Sequence, residues 1–404
     1  MKIRIQKGKA KGYVDAPPSK SMAHRMLICA GLSEGVSVVN NITLSKDILA
    51  TMDCLEAIGA SCRREGDAII VTGVNPKIMT AKNSLKCKES GSTLRFFIPI
   101  CLLSESEATL EGSQRLLERP LGVYEDICAE KGMYFNHSSQ NVIVKGPISA
   151  GEYRLAGNVS SQFVSGLLFA LPVIDRDSKI IITPPVESRS YINMTISALN
   201  TFGVNVLWED ENTILIPGNQ QYKAKDVRVE GDYSNVAFFE ALNVLGGEVE
   251  IGNLEKDSLQ GDKVYKEMFE ELKRGAATLN ISDCPDLGPI LFAVAAAKNG
   301  GIFNGAARLK IKESNRSEVM AKELSKFGAL VEIEEDTVIV HPMSEYKLTE
   351  TIYGHNDHRI VMSMAVLLTK MGGIIEGAEA VAKSFPDFFD TLESLGIEVE
   401  TIED

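Results

Sequence analysis

Six segments of the chain repeat one alternation of apolar and polar positions. In ILATMDCLEAIGASCRREGDAIIVTG, apolar residues at helical spacing run into Gly59, and a short strand-like run, a polar turn and a second apolar run follow. The same order recurs in PLGVYEDICAEKGMYFNHSSQNVIVKG, YINMTISALNTFGVNVLWEDENTILIPG, VYKEMFEELKRGAATLNIS, RSEVMAKELSKFGALVEIEEDTVIVHP and FFDTLESLGIEVETIE. The helix-ending glycines are Gly59, Gly132, Gly203, Gly275, Gly328 and Gly396, spaced by 73, 71, 72, 53 and 68 residues. A second signature interleaves with the first. AGLSEGVSVVNNI, LLSESEATLEGS, LPVIDRDSKIIITP, LNVLGGEVEIGNL, AAAKNGGIFNGAA and LLTKMGGIIEGAE each end an apolar helix, turn, and enter a strand.

Each unit therefore reads roughly as strand–helix–strand–helix–strand. Six units of about seventy residues are too long for a solenoid and predict two closed α/β domains of three units each. Helices such as FVSGLLFALPVI and PILFAVAAA are apolar on every side, which predicts them at the domain centre with the sheets outside. The first strand, Lys2 to Ile5, precedes the first unit and can complete the far domain's sheet. The EGDYSN turn after Val229 reads as a crossing between domains.

Composition changes this picture only at the margins. The 404 residues are 44% hydrophobic and 24% charged, as in ordinary globular chains. A net charge of −13 argues against a broad grip on nucleic acid, so any anionic ligand must be met by local cations. Seven cysteines without CxxC or zinc spacing suit free thiols in a reducing cytoplasm. MKIRIQKGKAKGYVDAP has no signal or transit character, and no apolar run reaches the roughly 18 to 20 residues that span a bilayer. A soluble, cytoplasmic protein is expected.

Cations, however, recur at helix starts, where the dipole disfavours them. PPSKSMAHR places Ser19, Lys20, Ser21 and Arg25 there, and ESGSTLR sets Gly91, Ser92 and Thr93 before Arg95. GNVSSQF offers Ser160, Ser161 and Gln162, and LERPLG offers Arg119. KIKESNR spaces Lys312 and Arg316 four apart, read as one helical face with Glu313 beside them. HNDHR gives Asp357 as an N-cap before His358 and Arg359, and AKSFPD gives Lys383. Helix N-termini with free N–H groups, hydroxyls and planar guanidinium groups suit phosphate and carboxylate. Taken singly, each such motif reads first as a mere cap. Repeated four or five times with cations against the dipole, they predict a protein that holds several anionic groups.

No GxxxxGK[ST], GxGxxG after a strand, HExxH or GxSxG occurs, so ATP- and NAD-dependent chemistry has no support. His24, His137, His341, His355 and His358 are scattered, and only His358 stands out as a candidate. Asp286, opening the apolar LGPILFAVAAA helix, reads equally as cap or base. Glu313 lies between cations that keep it ionised, and Lys20 is a candidate proton donor.

APPSKSMAHR, LERPLG, GNVSSQF, EGDYSN, LKIKESNR, HNDHR and AKSFPDFF, in this order from about residue 3 to about 395, resemble the 5-enolpyruvylshikimate-3-phosphate (EPSP) synthase family of enolpyruvyl transferases. The resemblance implies an α/β fold of two domains, each of three βαβαββ repeats with helices inside: an inside-out α/β barrel. It implies residues 19–228 on the shikimate-3-phosphate side, 1–18 with 229–404 on the phosphoenolpyruvate side, and an active site in the cleft between them. The implied reaction moves the enolpyruvyl group of phosphoenolpyruvate to the 5-hydroxyl of shikimate-3-phosphate. It proceeds by addition and elimination through a tetrahedral ketal, with no metal or organic cofactor.

Carried over by motif, Lys20, Ser21, Arg25, Ser160, Ser161, Gln162, Ser188, Tyr191, Asp286 and Lys312 meet shikimate-3-phosphate. Lys20, Gly91, Arg119, Gln162, Arg316, Arg359 and Lys383 meet phosphoenolpyruvate, with His358 as a further candidate. Asp286 accepts the hydroxyl proton, while Glu313 and Lys20 handle protons on the pyruvyl carbons. The implied partners are these two small molecules, with no nucleic acid or membrane, and a monomer. Glyphosate is expected to compete with phosphoenolpyruvate in space left by Gly91.

One departure stands out: Glu89-Ser90-Gly91-Ser92 replaces the family's usual Asn-(Ala/Ser)-Gly-Thr and puts a carboxylate near a phosphate. The sibling transferase acting on UDP-N-acetylglucosamine is the alternative. It carries a reactive Cys shortly before Arg-Pro, where this chain reads EGSQRLLE, and a Lys-Asn pair where this chain reads Ser-Lys-Ser. A non-catalytic anion-binding protein on the same repeat is opposed by the joint presence of Lys20, Asp286 and Glu313.

Overall fold

In the computed structural model, which describes residues 1–402, the helices fall into two kinds. Lys20–Gly31, Gly91–Cys101, Ser161–Ala170, Tyr233–Val244, Gly288–Ala297 and His358–Leu368 are buried on nearly every side; His358–Leu368 exposes no residue at all. Lys46–Ala57, Gly122–Lys131, Arg189–Thr201, Tyr265–Arg274 and Arg316–Ser325 bury one stripe. The first kind packs helix on helix, as where Phe96 meets Phe169 edge to face at 5.3 Å. Among the described residues no helix is long and apolar enough to cross a membrane.

Five four-stranded sheets share one order, a parallel edge pair and then two antiparallel strands, and in four of them those two strands are a hairpin whose second strand lies inside. Glu152–Ala156, Ser178–Thr183, Thr213–Ile216 and Leu207–Trp208 give one example. Burial alternates along such strands, one face on the helices and one on water. The chain divides into two compact units, Pro18–Glu230 and Met1–Pro17 joined with the chain from Gly231 onward. Each has its own apolar core. In the second unit, Lys2–Ile5 pairs antiparallel with both Gly373–Glu376 and Val399–Ile402, the place that the second hairpin strand holds elsewhere.

One repeat departs from the expected plan. Five of the six helix-ending glycines have φ between 71° and 106°, the left-handed conformation that turns the chain back from the helix into a strand. Gly275 has φ 174°, which is extended. The chain after it runs straight into Ala277–Asn280, an edge strand beside Gly301–Asn304 in the next sheet. Glu248–Gly252 and Lys11–Asp15 are left as a two-stranded sheet with no hairpin. The missing hairpin accounts for the short spacing of 53 residues.

Candidate active site

In the unit Pro18–Glu230 the side chains gather around the start of Lys20–Gly31. Ser19 caps this helix, accepting from Met22 N at 3.3 Å. The cations after it already have partners within the protein. Lys20 Nζ lies 2.9 Å from Asp47 Oδ2, in the first turn of Lys46–Ala57. Arg25 is 2% exposed and donates to Thr195 Oγ1 at 2.8 Å, Ser21 O at 2.6 Å and Tyr191 O at 3.1 Å. These partners are neutral oxygens, and the guanidinium lies over the rings of Phe96 and Tyr191. Burial lowers its pKa to about 10, so it stays charged at neutral pH. A buried cation without a counter-charge is stabilised by any anion that reaches it.

Two other candidate anion sites of this unit carry side-chain caps, and the one at Ser188 does not. Ser90 caps Gly91–Cys101 and Ser160 caps Ser161–Ala170, accepting from Gln162 N at 3.3 Å. Gln162 links two helix starts, accepting from Arg95 Nη1 at 2.8 Å and donating to Ser92 Oγ at 2.9 Å. Ser188 precedes Arg189–Thr201 with φ 55°. The space beside Gly91 is not empty: a Cβ there would lie 2.6 Å from Arg119 Nη1. Gly91 therefore makes room for the guanidinium itself. Glu89 is half-buried just before the Ser90 cap.

His24, four residues after Lys20, is buried, with Nδ1 2.7 Å from Thr51 Oγ1. Burial, with Lys20 and Arg25 nearby, holds its pKa well below 6.5. The unfolded chain protonates this imidazole below about pH 6.5 and the folded chain does not, so its stability contribution is intact above that pH and falls by about 1.4 kcal/mol per unit below it. Urea unfolding at about pH 7.5 and 5.5 is expected to show a larger acid loss for the parent than for His24→Asn. Equal losses would mean that the imidazole titrates normally.

The second unit brings its residues into one cluster. Asp286 is not a cap: Gly288–Ala297 has no side-chain cap, and Asp286 sits in the preceding turn Pro285–Leu287. Its Oδ1 takes Lys312 Nζ at 3.1 Å and Arg316 Nη1 at 2.9 Å, and its Oδ2 lies 3.8 Å from Arg359 Nη2. Lys312 and Arg316 do not share a helical face, because the helix Arg316–Ser325 begins only at Arg316 and Lys312 is extended. They converge on Asp286 from two directions instead. Burial and then Asp286 and Arg316 act on Lys312, with a net lowering of its pKa. Arg316 also reaches Glu313 Oε2 at 2.8 Å and Asp357 Oδ2 at 2.9 Å. Asp357 caps His358–Leu368 as expected, accepting from Arg359 N at 3.0 Å. His358 Nδ1 stands 3.9 Å from Asp357 Oδ1. Lys383 Nζ donates to Asn356 O at 2.5 Å, and Arg359 Nη1 to Ser234 O at 3.1 Å.

Motif reading missed Asp47, the bond from Arg95 to Gln162, and Asp357 as a counter-ion. Asp47 follows a capping Ser45 and looks like a plain dipole partner. No sequence signal says that Lys20 reaches it.

Comparison with known proteins shows the family. The family model for EPSP synthase (3-phosphoshikimate 1-carboxyvinyltransferase) matches residues 5–392. The chain is 40% identical over 423 residues to the 3-phosphoshikimate 1-carboxyvinyltransferase of Clostridium beijerinckii, covering 98% of this chain and 97% of that one. It is 40% identical over 420 residues to the protein of that name from Clostridium kluyveri, covering 98% of each. EPSP synthase from Acinetobacter baumannii shares the fold, with TM-score 0.77 at 23% identity over 99% of this chain and 100% of that one. So does the enolpyruvyl transferase NikO from Streptomyces tendae, with TM-score 0.79 at 12% identity over 99% and 98%.

Proposed function

The chain belongs to the EPSP synthase family, and from that premise we propose that its cation clusters hold shikimate-3-phosphate and phosphoenolpyruvate for enolpyruvyl transfer. The reaction joins the enolpyruvyl group to the 5-hydroxyl of shikimate-3-phosphate and releases phosphate, a step of aromatic amino acid biosynthesis. One observation carries the assignment of roles: Asp286 takes Lys312 and Arg316 on a single oxygen, with Arg359 close to the other. Three cations around one carboxylate make a poor base while they are bound to it. Substrate phosphate and carboxylate compete for the same cations by two-point contact. As they do so, Asp286 is released to accept the 5-hydroxyl proton.

In this reading Ser21, Arg25, Ser160, Ser161, Gln162, Ser188, Tyr191 and Lys312 hold shikimate-3-phosphate. Gly91, Arg119, Gln162, Arg316, Arg359 and Lys383 hold phosphoenolpyruvate, with His358 nearby in sequence. Lys20 and Glu313 protonate and deprotonate the pyruvyl methyl carbon as the ketal forms and collapses. We assign residues 19–228 chiefly to the first substrate and residues 1–18 with 229–404 chiefly to the second, with Gly91, Arg119 and Gln162 of the first segment also meeting phosphoenolpyruvate and Lys312 of the second also meeting shikimate-3-phosphate. Turnover then needs residues of both units. Positioning and fixed charge supply most of the rate. We take the protein to act in the cytoplasm as a monomer; its seven cysteines are free, and all but Cys62 are buried.

The test is phosphate release from phosphoenolpyruvate with and without shikimate-3-phosphate. Release is expected only with both; equal rates would overturn the reading, and dependence on UDP-N-acetylglucosamine would install the sibling activity. Glyphosate is expected to compete with phosphoenolpyruvate, and an inhibition constant in the high-millimolar range would contradict that. Gly91→Ala should push the Arg119 guanidinium aside. A displaced charged contact of about 1.4 kcal/mol raises the KM for phosphoenolpyruvate about tenfold, with that for shikimate-3-phosphate little changed. Steady-state kinetics in both substrates checks the split.

A further inference from the structure

A second polar rung joins the two helices that carry Lys20 and Asp47. His24 stands four residues after Lys20 and Thr51 four after Asp47, so each pair shares a helix face. From His24 Nδ1 the contacts run 2.7 Å to Thr51 Oγ1, 2.8 Å to Thr93 Oγ1 and 2.7 Å to Ser90 Oγ. Exposure along this chain is 1%, 0%, 0% and 1%. Ser90 also accepts from Thr93 N, capping the helix that begins at Gly91. His24 Nε2 is buried with no hydrogen-bond partner. The mechanism above uses none of these four groups.

The unpartnered nitrogen decides which way the hydroxyls point. If each hydroxyl donated toward His24, Nε2 would carry a buried N–H with no acceptor, which folded proteins rarely tolerate. Donation that starts at His24 Nδ1–H leaves only a lone pair on Nε2. The relay then runs from His24 through Thr51 and Thr93 to Ser90.

We infer that His24 is a positioning residue, held as the neutral Nδ1–H tautomer. Through Thr51 and Thr93 it fixes the register of the Lys20–Asp47 rung against the Ser90 cap, the start of the segment in which Gly91 makes room for Arg119. The inference rests on the reading of Lys20 and Arg119 as substrate contacts. It matters to the reaction because small misplacements of a reacting group cost rate steeply.

His24→Leu keeps most of the volume and removes the donor, whereas Asn places an amide N–H near the Nδ1 position. His24→Leu is expected to lower kcat about tenfold and raise the KM for phosphoenolpyruvate about tenfold, with His24→Asn within about threefold of the parent. Thr51→Val should reproduce the loss, and the double variant should add nothing further. In the parent, ¹⁵N spectra of the imidazole should show the Nδ1–H tautomer, unchanged between about pH 6 and 8. An Nε2–H tautomer, or parental kinetics in both His24→Leu and Thr51→Val, would overturn the inference. Should His24→Leu fail to fold, Thr51→Val and the spectra decide. An inactive parent would sink the proposed function instead, and the tautomer is read without any turnover.

Discussion

Replacing Lys20 by Met is expected to lower kcat about 10³-fold, within the range that a positioned acid or base contributes. Lys20 is placed for this by two neighbours. Ser19 starts its helix, and Asp47 holds its ammonium at 2.9 Å with both side chains largely shielded from water. Met keeps the length and apolar stem and removes only the charge and its protons. The cost to folding is small by comparison, about 1 kcal/mol for leaving Asp47 without its partner at a partly wetted site. Stopped turnover with a nearly unchanged urea midpoint is the expected pair of results. A Lys20→Met protein with parental kcat would remove Lys20 from the proton path.

Arg316→Met is expected to destabilise its unit by about 3–5 kcal/mol, the usual cost of stranding buried charge. Arg316 is 1% exposed and its three nitrogens meet three carboxylates, those of Asp286, Glu313 and Asp357. Burial opposes its charge, yet Asp357, Glu313 and Asp286 outweigh burial and raise its pKa above the usual arginine value. Without the guanidinium, three carboxylates face one another with Lys312 and Arg359 left to neutralise them. Arg316→Lys separates geometry from charge, since an ammonium offers no planar fork to satisfy three partners at once. That variant is expected to recover part of the stability and little of the turnover. Urea unfolding of both variants checks the first claim, and a parental midpoint for Arg316→Met would refute it.

Much of this protein was legible in its hydrophobic pattern. Helices apolar on every side can only be interior, so FVSGLLFALPVI and PILFAVAAA placed helices at the centre before any contact was known. The strand Lys2–Ile5 was readable as a guest in a distant sheet because it stands ahead of the first repeat. The fourth repeat was misread, because a glycine's letter does not disclose its φ. Gly275 looks like Gly328 in sequence but is extended, and the hairpin expected after it does not form.

The site divides along the same line. Residue types at helix starts were enough, by sequence alone, to predict anion-binding sites and to name the cations proposed for them, because capping and dipole chemistry are local. Only the tertiary structure decided which carboxylates hold those cations. Asp47 meeting Lys20, Asp357 and Asp286 meeting Arg316, and Arg119 filling the space over Gly91 are encounters between distant segments. Charge pairing at 3 Å depends on where whole helices pack, and packing is a property of the assembled core rather than of any one motif.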